Sequence, residues 1–191
     1  MPKPEVDSSS RASVVVLVGM MGSGKSTVGR IVADRLGCGF SDTDDEVEQA
    51  LGLSVQEIFE RRGEAVFRRA ETESLTTSLA GGAPRVLAVG GGAVLSEANR
   101  RTLRREATVV WLRAGVGTLT DRVGTGEGRP LLSGGPAIKL AELNEERERL
   151  YGEVAHIVVD TDGLSPESVA DAVVTAVTAE SAVSSPAEPG A

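Results

Sequence analysis

The sequence predicts an α/β fold, a five-stranded, mostly parallel sheet with helices on both faces, and three observations lead to it. Short apolar, β-branched runs alternate with stretches of helical spacing along the chain. The 191 residues suffice for one domain of this kind with a real core and are too few for two comfortable ones. Apolar residues make up 40% of the chain but aromatic residues only 3%, so the core must be aliphatic, built from Val, Leu, Ile and Ala.

The elements follow in order. Val14–Val18 is a strand, and Lys25–Leu36 has helical spacing through Val28, Ile31, Val32 and Leu36. CGFSD is a short strand ending in acids. The next helix, Thr43–Leu51, opens on what reads as a capping box, Thr43-x-x-Glu46. A second box, Ser54-x-x-Glu57, starts a short helix that Gly63 breaks. Glu64–Ala80 is a longer helix stopped by GGAP, and Val86–Val89 is a strand running into Gly90, Gly91 and Gly92. Ser96–Arg104 is helical, TVVWL at 108–112 is a strand, and a further helix ends near Arg122. After the glycine-rich stretch VGTGEGRPLLSGGPA comes a charged helix at about 137–151, then the strand HIVVD. Pro166 opens the last helix at its first turn. Residues 1–12 and 180–191 are polar and rich in Pro or Ser and read as disordered tails, leaving one domain at 13–179.

Composition excludes several function classes. A net charge of −8 argues against nucleic acid or an anionic membrane as the main partner, but not against a small anion. Charges beyond about 8 Å are largely screened at physiological salt, so the local cluster decides. With one cysteine, Cys38, and one histidine, His156, disulfides, thiolate or imidazole zinc sites and Ser-His or Cys-His catalysis drop out. Both read as ordinary turn or strand residues. MPKPEVDSSSRAS has no apolar segment or small-residue cleavage pattern, and no run approaches the ~18 apolar residues of a membrane span. A cytoplasmic protein is expected.

Residues 19–26, GMMGSGKS, satisfy G-x-x-x-x-G-K-[ST] between a strand and a helix. Glycines let successive backbone N–H groups point inward, and the following helix presents its positive N-terminus to an anion. Lys25 reaches β- and γ-phosphates and Ser26 ligates Mg²⁺. The pattern arises by chance in on the order of one chain in a hundred of this length, fewer with the flanking strand and helix required. This loop binds nucleotide phosphates.

The receiving group must come from other strand ends, where ligands of open parallel sheets lie. The second strand delivers Asp42-Thr43-Asp44: one carboxylate can hold the shell of a magnesium ion and the other can accept from a substrate hydroxyl. Alternatively, Asp42 or Asp44 merely caps the next helix. Gly90–Gly92 offers close backbone approach, or is a plain turn. Arg68 could belong to a solvated face with a weak Arg68–Glu71 pair, and Arg147 to a surface ion pair among acids. Arg129 sits in a Gly/Pro stretch where no helical pairing explains it. An arginine delivered by a closing loop is what phosphoryl transfer requires.

Taken together, these segments resemble the shikimate kinase family. The resemblance runs from about Val14 to Val177. It rests on G-x-x-G-S-G-K-S-T at 19–27, D-T-D at 42–44, F-R-R-x-E at 67–71, G-G-G-A-V at 90–94, R-P-L-L at 129–132 and R-x-x-x-Y-x-x-x-A at 147–155. It implies the three-layer P-loop kinase fold, similar to nucleoside monophosphate kinases, with a mobile lid at about 122–136. It also implies a kinase moving the γ-phosphate of ATP to the 3-hydroxyl of shikimate, toward chorismate and the aromatic amino acids, in a monomer. Position by position, the implied shikimate site is Asp44, Arg68, Gly90, Gly91, Gly92 and Arg147. Gly22, Ser23, Gly24, Lys25, Ser26 and Thr27 would bind phosphates, Ser26 and Asp42 would serve Mg²⁺, Arg129 would be the lid arginine, and Arg122 and Pro166 would sandwich adenine. Asp44, Lys25 and Arg129 would be catalytic.

One departure stands out: TDGLSP at 161–166 has no basic residue, where relatives often carry arginines before the proline, so base contacts there could come from backbone alone. The competing expectations are a related small-molecule kinase such as a gluconate kinase, and a nucleotide switch. The switch would need a guanine-reading N-K-x-D element, which the sequence lacks.

Overall fold

The computed structural model describes residues 14–83, 85–126, 130–132 and 135–184. Five strands, β1 (Val14–Val18), β2 (Gly39–Asp42), β3 (Arg85–Ala88), β4 (Thr108–Arg113) and β5 (Ile157–Asp160), form one sheet. Their order is β2-β3-β1-β4-β5, and every pairing is parallel. Val16 of the central strand lies beside Leu87 on one side and Val109 on the other.

Side chains of a strand point alternately to opposite faces, and both faces of β1 are buried. Val14, Val16 and Val18 meet one helical layer: Leu75 of α4 (Glu64–Ala80), Leu103 of α5 (Glu97–Glu106), Leu119 of α6 (Val116–Val123), and Leu140, Tyr151 and Val154 of α7 (Pro136–Val154). Val15 and Leu17 meet the other: Val28 and Val32 of α1 (Lys25–Leu36), and Val169, Ala170, Val173 and Val177 of α8 (Pro166–Ser184). A satellite core of Val47, Ile58 and Phe67 joins α2 (Thr43–Leu51), α3 (Val55–Arg62) and α4. The aliphatic core expected from composition is present, with Phe67, Trp111 and Tyr151 as its buried aromatics.

The elements agree with the sequence reading to within a few residues at their ends, and four details differ or fall outside. Helix α8 continues to Ser184, so residues 180–184, expected in the disordered tail, are helical; the remaining expected tail residues, 1–12 and 185–191, lie outside the described residues. A 3-10 turn at Ala93–Leu95 follows the glycine triplet. The box at Ser54 is present, with Ser54 Oγ accepting from Glu57 N at 3.2 Å and Ser54 N donating to Glu57 Oε2 at 3.0 Å.

The box at Thr43 is not. Asp42 is the N-cap of α2 and accepts from Asp44 N at 3.1 Å. Tertiary partners take both expected members: Thr43 Oγ1 accepts from Gly90 N at 3.0 Å, and the Glu46 carboxylate accepts from Ser74 Oγ at 2.5 Å and Ser78 Oγ at 2.8 Å. Glu46 thus ties α2, which follows the acidic strand end, to α4, which carries Arg68.

Ser78 is buried, so removing its acceptor leaves a hydroxyl without a partner. Glu46→Ala should cost about 1–3 kcal/mol in urea denaturation, and Glu46→Gln, which keeps an acceptor oxygen, distinctly less. Equal losses for the two would remove the clamp from the account.

Candidate active site

The loop after β1 carries φ values of +84° at Gly22 and +94° at Gly24, a region side chains rarely adopt. At Gly22 a Cβ would also meet Val123 Cγ2 at 2.8 Å, so the loop packs against α6 without room to spare. Gly24 is the N-cap of α1 and supplies no side-chain cap, and the first turn of α1 holds no acid. Its amides are left for an anion rather than for the protein's own carboxylates. Lys25 Nζ donates back to the carbonyls of Gly19 at 2.9 Å and Met20 at 3.0 Å, which folds the ammonium over the loop.

Beside the loop, Ser26 Oγ donates to Asp42 Oδ2 at 2.6 Å. Asp42 therefore caps α2, one of the alternatives the sequence left open, and it also accepts from the P-loop hydroxyl. A hydroxyl and a carboxylate adjoining a phosphate cradle fit the oxygen-loving Mg²⁺, which keeps several waters and takes few protein ligands. Among the described residues no group of three or more His, Cys, Asp or Glu is placed to hold a metal.

One cavity of about 750 Å³ is lined by Gly22–Thr27, Asp42, Asp44, Arg68, Gly90–Gly92, Arg122, Arg147 and Pro166. Every candidate residue within the described part of the chain is in this wall. Arg129, the expected lid arginine, lies outside the described residues.

The glycine triplet is no plain turn. A Cβ on Gly90 would lie 2.7 Å from Asp44 Oδ1 and would overlap Glu71 Oε1; one on Gly92 would strike the Arg68 guanidinium. Gly91 O accepts from the Tyr151 hydroxyl at 2.6 Å. Backbone without side chains thus lets two carboxyls and a guanidinium converge.

Arg147 is 3% exposed, and its Nε has no hydrogen-bond partner; the nearest carboxylate, of Glu146, stands 4.0 Å off. The surface ion pair that the flanking acids suggested survives only as this contact at the limit of ion-pair distance, and Arg147 is not on the surface, because this face of α7 turns inward. A buried, under-satisfied guanidinium lining a cavity is costly unless an anion completes it.

Arg68 does pair with Glu71, at 2.9 Å, and also with Glu64 at 3.0 Å. The face is not solvated, though, since Glu71 is 1% exposed. Burial, chiefly, pushes Glu71 up from 4.5 to about 7, the Asp44 charge adding and Arg68 and Arg147 opposing. Asp44 rises from 3.8 to about 6 through burial and then the Asp42 charge, with Lys25 and Arg68 opposing. Asp44 Oδ1 and Glu71 Oε1 are both buried without a hydrogen-bond partner.

Sequence reasoning gave Glu71 no role beyond pairing with Arg68, and gave Thr43 and Tyr151 none in the site. Glu71 and Tyr151 stand in quoted motifs, at i+3 from Arg68 and i+4 from Arg147. That spacing puts each on the same helix face as its arginine and could have found them.

Arg122 Nη2 donates to Thr161 O at 2.8 Å and Nη1 to Thr161 Oγ1 at 3.0 Å, joining α6 to the end of β5. With Pro166 at the first turn of α8, it marks a second end of the cavity, beside Gly22.

A model of the shikimate kinase family matches residues 21–178. The shikimate kinase of Streptomyces avermitilis is 48% identical over 163 residues, 85% of this chain and 94% of the relative; that of Streptomyces coelicolor is 46% identical over 166 residues, 87% and 96%. Among solved structures, shikimate kinase from Acinetobacter baumannii in complex with shikimate is similar with a TM-score of 0.85 at 37% identity, covering 88% of this chain and 94% of that one. A gluconokinase from Sinorhizobium meliloti has a TM-score of 0.57 at 21% identity, a likeness of fold alone.

The raised Glu71 carboxyl fixes a pH dependence. Between pH 4.5 and about 7 the folded protein keeps a proton that the unfolded chain has released. The stability this group contributes is therefore complete below pH 4.5 and is lost as pH rises through about 7. Glu71→Gln should remove a decline on the order of 1–3 kcal/mol between roughly pH 5 and 8. Parallel stability profiles for the two proteins would show Glu71 ionised throughout.

Proposed function

Because the chain belongs to the shikimate kinase family, we propose that it transfers the γ-phosphate of ATP to the 3-hydroxyl of shikimate. The products are ADP and shikimate 3-phosphate, on the way to chorismate and the aromatic amino acids. The observation that carries the reading for this chain is Arg147: a buried guanidinium with an unpartnered Nε, in one cavity with the phosphate loop and Asp44. Shikimate is a carboxylate bearing hydroxyls, and guanidinium forks suit its acid end while a carboxylate acceptor suits its alcohols.

Arg147 and Arg68 hold the substrate carboxylate, the bare backbone of Gly90, Gly91 and Gly92 lets the ring approach, and Asp44 Oδ1 takes the hydrogen bond of the 3-hydroxyl. The amides of Gly22 to Thr27 hold the nucleotide phosphates, and Lys25 lies along the transferring group. Ser26 and Asp42 would hold Mg²⁺, which when bound supplies charge neutralisation on the β- and γ-oxygens. Arg122 and Pro166 flank the base. Arg129, in a lid over about 122–136, places a further charge on the γ-phosphate and excludes water. One kinase domain at 13–179, acting as a monomer in the cytoplasm, completes the reading. Among the described residues no helix is long and apolar enough to cross a membrane.

Transfer is direct and in line. With a carboxyl near 6, Asp44 is mostly ionised at neutral pH and can orient the alcohol and receive its proton. In a loose transition state that proton leaves late, so orientation weighs more than basicity.

A coupled ADP-release assay with ATP and Mg²⁺ tests the reading: turnover with shikimate and none with gluconate is expected, and the reverse would favour the sugar-acid kinase. Asp44→Asn should lower kcat by a factor of about 10² or more, in line with loss of a positioned proton acceptor. Near-normal turnover would take Asp44 out of the mechanism. For Arg147→Ala the expected signature is a raised shikimate KM with little change in the ATP KM.

A further inference from the structure

The nucleotide end of the cavity carries a hydrophobic side chain that phosphate and carboxylate chemistry leaves unused. Leu164 is 45% exposed, one of three large hydrophobics so exposed among the described residues, and it lines the cavity together with Thr161, Pro166 and Val169. Its position is fixed by Arg122, whose guanidinium is tied to the Thr161 carbonyl and hydroxyl and leans on the Gly22 carbonyl at 3.5 Å. Arg122 thereby ties the turn holding Leu164 to Gly22 of the glycine-rich loop, across one end of the same cavity.

The polar side chains of that turn are committed elsewhere, Thr161 Oγ1 to Arg122 among them. Thr161 N donates to Arg113 O at 2.9 Å, and Leu164 N points back to Thr161 O at 3.4 Å. The Asp162 carboxylate accepts from Gly115 N at 3.0 Å, and Ser165 Oγ accepts from Ser168 N at 3.2 Å. The cavity's carboxylates come from β2, α2 and α4; among the described residues no carboxylate or carboxamide lines this end. A base placed here meets a fixed guanidinium plane, a proline ring and an isobutyl group, which are surfaces for its faces rather than partners for its edge.

We propose that Leu164 is a specificity residue for the phosphoryl donor: with Arg122 and Pro166 it grips the nucleobase by its faces, leaving the base edge unread by side chains. The proposal rests on the kinase reading above only in taking the ligand to be a nucleotide. Sites that hydrogen-bond a substrate edge reject the mismatched analogue by about 10⁴–10⁵, whereas apolar pockets separate neighbours by only about 10–200-fold. Adenine and guanine share a broad purine face and differ at the edge, so this site should accept both, and a pyrimidine, with a smaller face, less well.

Calorimetric titration of the full chain with ADP, GDP and CDP in magnesium chloride tests this without any turnover. ADP and GDP should bind within about tenfold of one another and CDP more weakly. Leu164→Ala should weaken ADP and GDP alike by about 3–10-fold, consistent with partial loss of one leucine's contact, while shikimate binding, a measure of intact folding, stays as in the unaltered chain. Leu164→Met should restore most of the loss. A preference for ADP over GDP beyond about a hundredfold, or wild-type ADP affinity in Leu164→Ala, overturns the proposal. If both purine nucleotides bind as expected and shikimate is nonetheless never phosphorylated, the functional reading has failed and the base-site assignment stands.

Discussion

Three successive glycines at the end of β3 allow helices from three parts of the chain to close on one point. Gly90 donates its N–H to Thr43 at the start of α2, Gly91 accepts from Tyr151 of α7, and Gly92 lies under the Arg68 guanidinium of α4. β3 stands between β1, whose end opens into the phosphate loop, and β2, whose end is Asp42. The triplet therefore has the nucleotide cradle on one side and the acidic strand end on the other. Any side chain on Gly90 would occupy the space in which Asp44 and Glu71 now sit. Geometry at this one point is what turns an ordinary parallel sheet into a two-substrate site.

The electrostatics follow from that convergence. A chain of net charge −8 receives two anionic substrates because the charge that matters is local and desolvated. Lys25, Arg68, Arg122 and Arg147 line the cavity, while two of its carboxyls, Asp44 and Glu71, are held part-way toward neutrality by burial. Arg147 carries a cost of its own, since its Nε is buried without a hydrogen-bond partner. A substrate carboxylate would relieve that cost on binding. A penalty of that kind, if removed by a ligand, is a common arrangement where binding energy is used for orientation.

Much of the fold and of the site was legible in the residues, for identifiable reasons. Strands buried on both faces must be continuously apolar, so VVVLV and TVVWL announce themselves. The P-loop is legible because its chemistry is contiguous. What the sequence hid depends on neighbours distant in the chain. The Thr43–Glu46 spacing satisfies a local capping rule, yet Gly90, Ser74 and Ser78 offer those side chains better tertiary partners, and Asp42 takes over the cap. The spacing of Arg68 and Glu71 was visible and their pairing correct, but burial was not, because the mixed polarity of α4 does not say which face packs. Arg147 among acids looked like a surface residue for the same reason. The last helix overran its expected end because ESAVS is compatible with helix as well as with a polar tail. Leu164 carried no motif at all; only its place in the cavity wall gives it meaning.

The central claim, that bare backbone at Gly90 makes the acceptor half of the site, is tested most directly by titrating Gly90→Ala with shikimate and, separately, with ADP. Crowding Asp44 and Glu71 by one methyl group should weaken shikimate by about tenfold or more, in keeping with the usual cost of overpacking, while ADP binds as it does to the unaltered protein. Shikimate affinity equal to that of the unaltered protein would contradict the claim, because the carboxyls would then have no need of the empty space that the glycine provides.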